Sequence, residues 1–206
     1  MPNKQTSRSS AKGPARGSAR GPAKRDGSTV GGRGGNGGPG KTGKSAGHHP
    51  GRPAEGKPAP KFDLESDDGA RASSKDYAGT WLVLYFYPRD NTPGCTREAQ
   101  DFTKAAARLK KLGAEVVGVS KDSVKSHCGF KEKIGIGFTL LSDPALEAHR
   151  AYGAWGKKMM YGKEVEGVIR STFLVAPDGT LARSWSGVKV DGHVDKVLAA
   201  IEELRA

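Results

Sequence analysis

Cysteine is scarce in this chain: Cys95 and Cys128 are the only two among 206 residues. Two cysteines cannot staple a disulfide scaffold, and alone they cannot complete a zinc site. They fit a reducing, cytoplasmic compartment, where a surviving cysteine serves either packing or chemistry. Long apolar runs are missing as well. The longest strongly apolar stretch is residues 81–87 (WLVLYFY), far short of the roughly 20 residues that a membrane-spanning helix needs. No apolar stretch follows the basic N-terminus, so a secretory signal is not expected either. Residues 1–60 have no aromatic side chain and only two acids, Asp26 and Glu55. The same segment holds 12 Lys and Arg, 15 of the 30 Gly and 8 of the 12 Pro, and so carries +10 of the formal +12 charge. Such a composition cannot bury enough apolar surface to offset chain entropy. It predicts a disordered basic tail over 1–60 and one folded domain over 61–206, a length sufficient for a single core.

In the tail, basic residues recur at every fourth position: Arg8, Lys12, Arg16, Arg20 and Lys24. The Gly and Pro between them forbid a stable helix. Two readings remain, a solvated linker and a flexible polycation (residues 1–57) that tethers the domain to DNA or RNA by counterion release. The lack of aromatic residues to stack on bases weighs toward the linker. An organellar transit peptide fits poorly, because Gly is abundant and Leu absent. Residues 35–42 (GNGGPGKT) match the phosphate-loop pattern letter for letter. That pattern works only between a buried strand and a helix, and the flanking residues can form neither. His48 and His49 are two histidines in a loose tail and do not make a metal site.

From residue 62 the pattern changes. Residues 81–87 read as a strand buried on both faces. Ala99, Phe102, Ala106, Leu109 and Leu112 then share one face of a helix that stops at Lys110, Lys111 and Gly113. Residues 115–120 read as the next strand, Asp122 or Ser123 as the cap of a helix to about Ile134, and residues 138–141 as a third strand before a short helical piece through Tyr152. Residues 171–175 and 181–185 form a hairpin, and Val194, Val197, Leu198, Ile201 and Leu204 mark a C-terminal amphipathic helix. This order predicts an α/β fold, a mixed sheet sandwiched by helices.

The informative stretch is residues 87–96 (YPRDNTPGCT). Pro88 ends the strand, Thr92 and Pro93 read as N-cap and first helical residue, and Cys95 falls in the first turn. Unpaired N–H groups and the positive end of the helix dipole there favour an anion such as a thiolate. The alternative is a small buried side chain in a turn.

With YFYPRDNTPGCTREA, FTLLSD, YGAWGKK and RSTFLVAPDGT in this order, residues 61–206 resemble a peroxiredoxin of the peroxiredoxin Q type, also called bacterioferritin comigratory protein. The resemblance implies a thioredoxin-like fold and a thiol peroxidase that reduces hydrogen peroxide and organic hydroperoxides without metal, haem or flavin. It further implies thioredoxin as electron donor and a monomer. The family pattern of Pro, Thr, Cys and a distant Arg falls on Pro88, Thr92, Cys95 and Arg170. The resemblance gives Cys95 the attack on peroxide, Arg170 the fixed positive charge, Thr92 the orienting hydroxyl and Pro88 the shielding of the thiolate. The backbone N–H groups of Gly94 and Cys95 are candidate donors to the peroxide. Glu98, one turn on, either orients Arg170 or favours the helix start. Many members carry a resolving cysteine five residues after the reactive one; here that position is Gln100. Others carry it on the helix that holds Cys128, so the candidates are a Cys95–Cys128 disulfide and a single-cysteine route through an outside thiol. His127 reads as an interior or rim histidine. Trp81, Trp155 and Trp185 read as packing, as do Tyr85 and Tyr87. Met159 and Met160 read as entrance residues or filler.

Overall fold

The computed structural model describes residues 51–160 and 162–206. The expectations for residues 1–50, including the phosphate-loop match and His48 and His49, lie outside the described residues.

β3 (Trp81–Phe86) forms the centre of the sheet. Successive side chains of a strand point to opposite faces. Val83, Tyr85 and, just beyond the strand, Tyr87 therefore enter one core, while Leu82, Leu84 and Phe86 enter the other. A strand buried this way needs partners on both edges. It pairs in parallel with β4 (Ala114–Ser120) and antiparallel with β8 (Ser171–Val175). β5 (Thr139–Ser142) extends the sheet beyond β4, and β9 (Leu181–Ser186) lies beyond β8. With β1 (Asp63–Ser66) and β2 (Arg71–Ser73) the order is β2-β1-β5-β4-β3-β8-β9. α1 (Pro93–Lys111), α2 (Val124–Ile134) and α4 (His193–Arg205) cover the Tyr85 face through Phe102, Phe130 and Ile201. The short α3 (Glu147–Ala151), with Phe62 and Tyr152, covers the Leu84 face. Each fully buried Leu or Phe in these layers stabilises the fold by about 1.5–3 kcal/mol. This is the expected helix-flanked mixed sheet, with a thioredoxin-like arrangement.

Several elements differ from the sequence expectation. The ordered body does not begin at residue 61. Gly56 N–H donates to Leu181 O (2.8 Å), Leu181 N–H to Lys57 O (2.8 Å) and Ala59 N–H to Gly179 O (2.9 Å). Glu55 Oε1 accepts from Ser184 N–H at 2.8 Å. A Pro- and Gly-rich segment with little to bury is held here by backbone pairing along an otherwise open sheet edge, which composition does not register. β1 and β2 are four- and three-residue strands, with charges at Asp63, Glu65 and Arg71, too short for a periodicity signal. A separate hairpin of β6 (Trp155–Met160) and β7 (Lys163–Val168) was also not expected. Leu204, placed on the apolar face of α4, is exposed.

Candidate active site

β3 is followed by Tyr87, whose N–H makes the last bond to β4, at Val119 O (3.1 Å). The half-buried Pro88 has no N–H to continue the ladder. The chain reverses through Asn91 at φ 58°, a left-handed conformation that Asn tolerates, and α1 starts at Pro93. Thr92 is the N-cap by its backbone, with its carbonyl accepting from Thr96 N–H at 2.8 Å. Its hydroxyl does not cap the helix but donates to Arg89 O at 3.0 Å. Cys95 is the third residue of α1 and only 1% exposed. Among the described residues no acceptor pairs with the backbone N–H groups of Gly94 and Cys95.

Strand register brings in the distant arginine. Phe86 pairs with Ser171, so the residue just before β8 lies beside the residue just after β3. Arg170 thereby reaches the start of α1. Its Nη2 donates to Cys95 Sγ at 3.2 Å, and its Nη1 donates to Glu98 Oε2. Its carbonyl is fixed by Val188 N–H at 3.0 Å. Gly94 passes close by, since a Cβ there would lie 3.4 Å from Arg170 Nη2. Burial acts against the guanidinium's charge, but Glu98 and Cys95 outweigh it and raise its pKa.

Glu98 is fully buried. Burial pushes its carboxyl up to about 7, although Arg170 pulls the other way. Its second oxygen, Oε1, has no hydrogen-bond partner. The neighbouring Tyr85 phenol is pushed well above its ordinary value by burial, then by Glu98 and Cys95, and stays neutral. On the far side His193 Nε2 lies 2.8 Å from Thr172 Oγ1. Burial, with Lys196 and Arg170, pushes that imidazole down to about 4. The cluster thus combines a buried sulfur, a fixed cation touching it and two unused N–H donors, an arrangement suited to stabilising negative charge on sulfur and on an attacking oxygen.

Cys128 is not part of this cluster. It is half-buried on α2, its Sγ donating to Asp67 O at 2.8 Å, and both cysteines are free thiols. His127 and Phe130 form the buried stripe of α2. Ser126 on one flank bonds Asp90 in the loop before Cys95, whereas Cys128 on the other flank faces Asp67. Of the two readings of Glu98, the one that orients Arg170 is the contact the structure shows, and it depends on the β3–β8 register. The buried group of Asp90, Ser126 and His127 had no signal at all, because it spans two elements.

A helix-flanked mixed sheet whose central strand delivers a cysteine to a helix start defines a thiol-dependent redox fold. The AhpC/TSA family model matches residues 56–184. Peroxiredoxin Bcp of Xanthomonas campestris pv. campestris is 48% identical over 147 residues, covering 70% of this chain and 92% of that protein. Peroxiredoxin Bcp of Bacillus subtilis is 42% identical over 149 residues, covering 72% and 95%. Among solved structures, Xanthomonas campestris peroxiredoxin Q superposes with a TM-score of 0.66 at 46% identity, covering 69% of this chain and 90% of that one. The chain belongs to the AhpC/TSA family and, within it, to the peroxiredoxins of the Q or Bcp type. It is a thiol peroxidase by that membership. Among the described residues no helix is long and apolar enough to cross a membrane.

Proposed function

We propose that Cys95 is the peroxidatic thiol of a peroxidase for hydrogen peroxide and small organic hydroperoxides. The observation that carries this reading is the 3.2 Å contact of Arg170 Nη2 with Cys95 Sγ. The thiolate attacks one oxygen of the hydroperoxide; the S–O bond forms as the O–O bond breaks. The departing oxygen leaves as alkoxide or hydroxide and takes a proton from solvent, and the sulfur becomes a sulfenic acid. Arg170 stabilises charge on sulfur and on the peroxide, and the Gly94 and Cys95 N–H groups meet the developing oxyanion. The Thr92 hydroxyl donates its hydrogen bond to Arg89 O, which leaves its lone pairs to accept one from the peroxide O–H. Pro88 shields the sulfur from water. A Xanthomonas campestris bacterioferritin comigratory protein, 45% identical over 70% of this chain with a TM-score of 0.67, is described for alkyl peroxide reduction, which supports the organic part of the range. Cys128 then resolves the sulfenic acid: the S–S bond forms, the S–O bond breaks, and water leaves. Thioredoxin returns the disulfide to two thiols.

The test is intact mass of the reduced protein after one equivalent of hydrogen peroxide, beside Cys95→Ser. Rapid loss of two hydrogens that needs both cysteines is the expected result. Stable gain of one oxygen would overturn the role of Cys128 and leave resolution to an outside thiol. An unreactive Cys95 would overturn the peroxidase assignment of this residue.

A further inference from the structure

The loop ahead of Cys95 is fastened by polar groups that the peroxide chemistry does not use. Asp90 is buried, 5% exposed. Its N–H donates to Asp122 Oδ2 at 2.8 Å, and its Oδ1 accepts from the Tyr87 hydroxyl at 2.7 Å. Its Oδ2 accepts from Ser126 Oγ at 2.7 Å and lies 2.9 Å from His127 Nδ1. The other nitrogen of His127, Nε2, lies 3.2 Å from Leu141 O, so both ring nitrogens face acceptors. Asp122 is in turn held by Ser120 Oγ at 2.8 Å. Burial alone would raise the Asp90 carboxyl, but the hydrogen bonds from His127 and Ser126 outweigh it and hold the group below its ordinary value. One carboxylate thus ties the residues before α1 to the first two turns of α2.

This tie bears on what happens after the peroxide step. Cys95 is 1% exposed, so no second sulfur can reach bonding distance of a sulfenic acid there while the first turn of α1 is intact. That turn has to unwind, which moves residues 91–95 next to the fastened Asp90. Local opening is least favourable where the flanking backbone is anchored by buried hydrogen bonds. We propose that Asp90, with Ser126 and His127, is a clasp that sets how readily the turn bearing Cys95 opens, and thereby how its sulfenic acid divides between resolution and further oxidation. The inference rests on the assignment of Cys95 as the peroxidatic thiol. In resolution, a thiol's sulfur bonds to Cys95 and the hydroxyl leaves as water with the thiol's proton. In further oxidation, a second hydroperoxide transfers one oxygen to the same sulfur and leaves as alcohol or water, giving a sulfinic acid. Asp90, Ser126 and His127 are positioning residues in this scheme, because none touches the reacting atoms.

The experiment uses full-length Cys128→Ser protein, so that an added thiol is the sole resolver. One equivalent of hydrogen peroxide is followed by dithiothreitol, and intact mass tracks the species with one added oxygen. A parallel peroxide titration reads the species with two. Adding Asp90→Asn removes the carboxylate that holds the hydrogen bonds. Because hydrogen bonds to a charged group are worth about 1.5–3 kcal/mol, dithiothreitol is expected to react roughly tenfold faster or more. The peroxide needed for half-conversion to the sulfinic acid should rise by the same factor. A purely structural role would lower Tm without moving this partition. Ser126→Ala removes one bond and should give about a threefold change in the same direction; it carries the test if Asp90→Asn does not fold. A dithiothreitol rate within twofold of the parent, or a slower one, would overturn the clasp. A Cys128→Ser parent that never gains oxygen at Cys95 would overturn the peroxidatic assignment and the clasp with it.

Discussion

Glu98→Gln separates function from stability by sign. The carboxyl is buried, donates nothing to the core, and is held at about 7 against an ordinary 4.5. A carboxyl raised on folding leaves stability undiminished below its unfolded value, and that stability is lost as pH rises through the folded one. Between pH 4.5 and about 7 the loss amounts to ~3 kcal/mol, at roughly 1.36 kcal/mol per pH unit. Gln is the uncharged stand-in for the protonated acid. The variant should match the wild type in urea unfolding at pH 5 and exceed it by up to about 3 kcal/mol at pH 8. The chemistry should move the other way. Arg170 would exchange an ionised partner for an amide, a difference of about 1–1.5 kcal/mol, so the rate of Cys95 with hydrogen peroxide should fall about tenfold at pH 8. Stopped-flow single turnovers and paired urea titrations read the two quantities. A stability gap that does not change between pH 5 and pH 8 would refute the buried-carboxylate argument. A rate within twofold of wild type would refute the orienting role.

Arg170→Met removes the donor at 3.2 Å from Cys95 Sγ and should slow the single-turnover rate about 10²–10³-fold, the range for loss of one preorganised donor; less than a threefold loss would contradict the site. His193→Gln removes an imidazole held at about 4. A depressed histidine gives stability that is present above about 6.5 and lost as pH falls through about 4, so the wild type's advantage should shrink by up to ~3 kcal/mol over that window. Thermal unfolding at pH 7 and pH 4 of both proteins reads this. Gly118→Ala would place a Cβ 2.7 Å from the Tyr85 hydroxyl and 2.8 Å from Leu140 Cδ2. Overpacking of this kind costs about 1–3 kcal/mol, so urea midpoints should drop, and an unchanged midpoint would mean that the Tyr85 ring has room to shift.

What could be read from the sequence was local, and what could not was tertiary. The run at 81–87, the stop at Gly113 and the helix start at Thr92 each have their cause within a few residues, and each stands where the chain predicts. The approach of Arg170 to Cys95 has its cause in the Phe86–Ser171 pairing, which no spacing encodes; only the family resemblance anticipated it. On α2, Cys128 lies beside the buried stripe of His127 and Phe130, but which flank faces the Cys95 loop depends on Asp90 and Asp67 on neighbouring elements. Residues 54–59 show the opposite failure: composition read them as tail, and the open edge of the β8–β9 hairpin holds them by backbone bonds.

Two sources of positive potential meet at Cys95, and their sizes decide which matters more. The start of α1 supplies a dipole worth about 0.3–1 kcal/mol at an exposed site and up to about 2 when partly buried. Arg170 supplies a full charge with a hydrogen bond to the sulfur, worth about 1.5–3 kcal/mol, in a place where burial reduces screening. The helix start alone was the reason for singling out Cys95, yet the guanidinium is the larger contributor. It is also the more demanding one, because keeping it in place requires a buried acid. Glu98 answers that requirement at a pKa of about 7, so near neutral pH the carboxyl exchanges a proton readily. The site therefore keeps its arginine oriented at the expense of fold stability, which explains why the Glu98 substitution should improve one property while it harms the other.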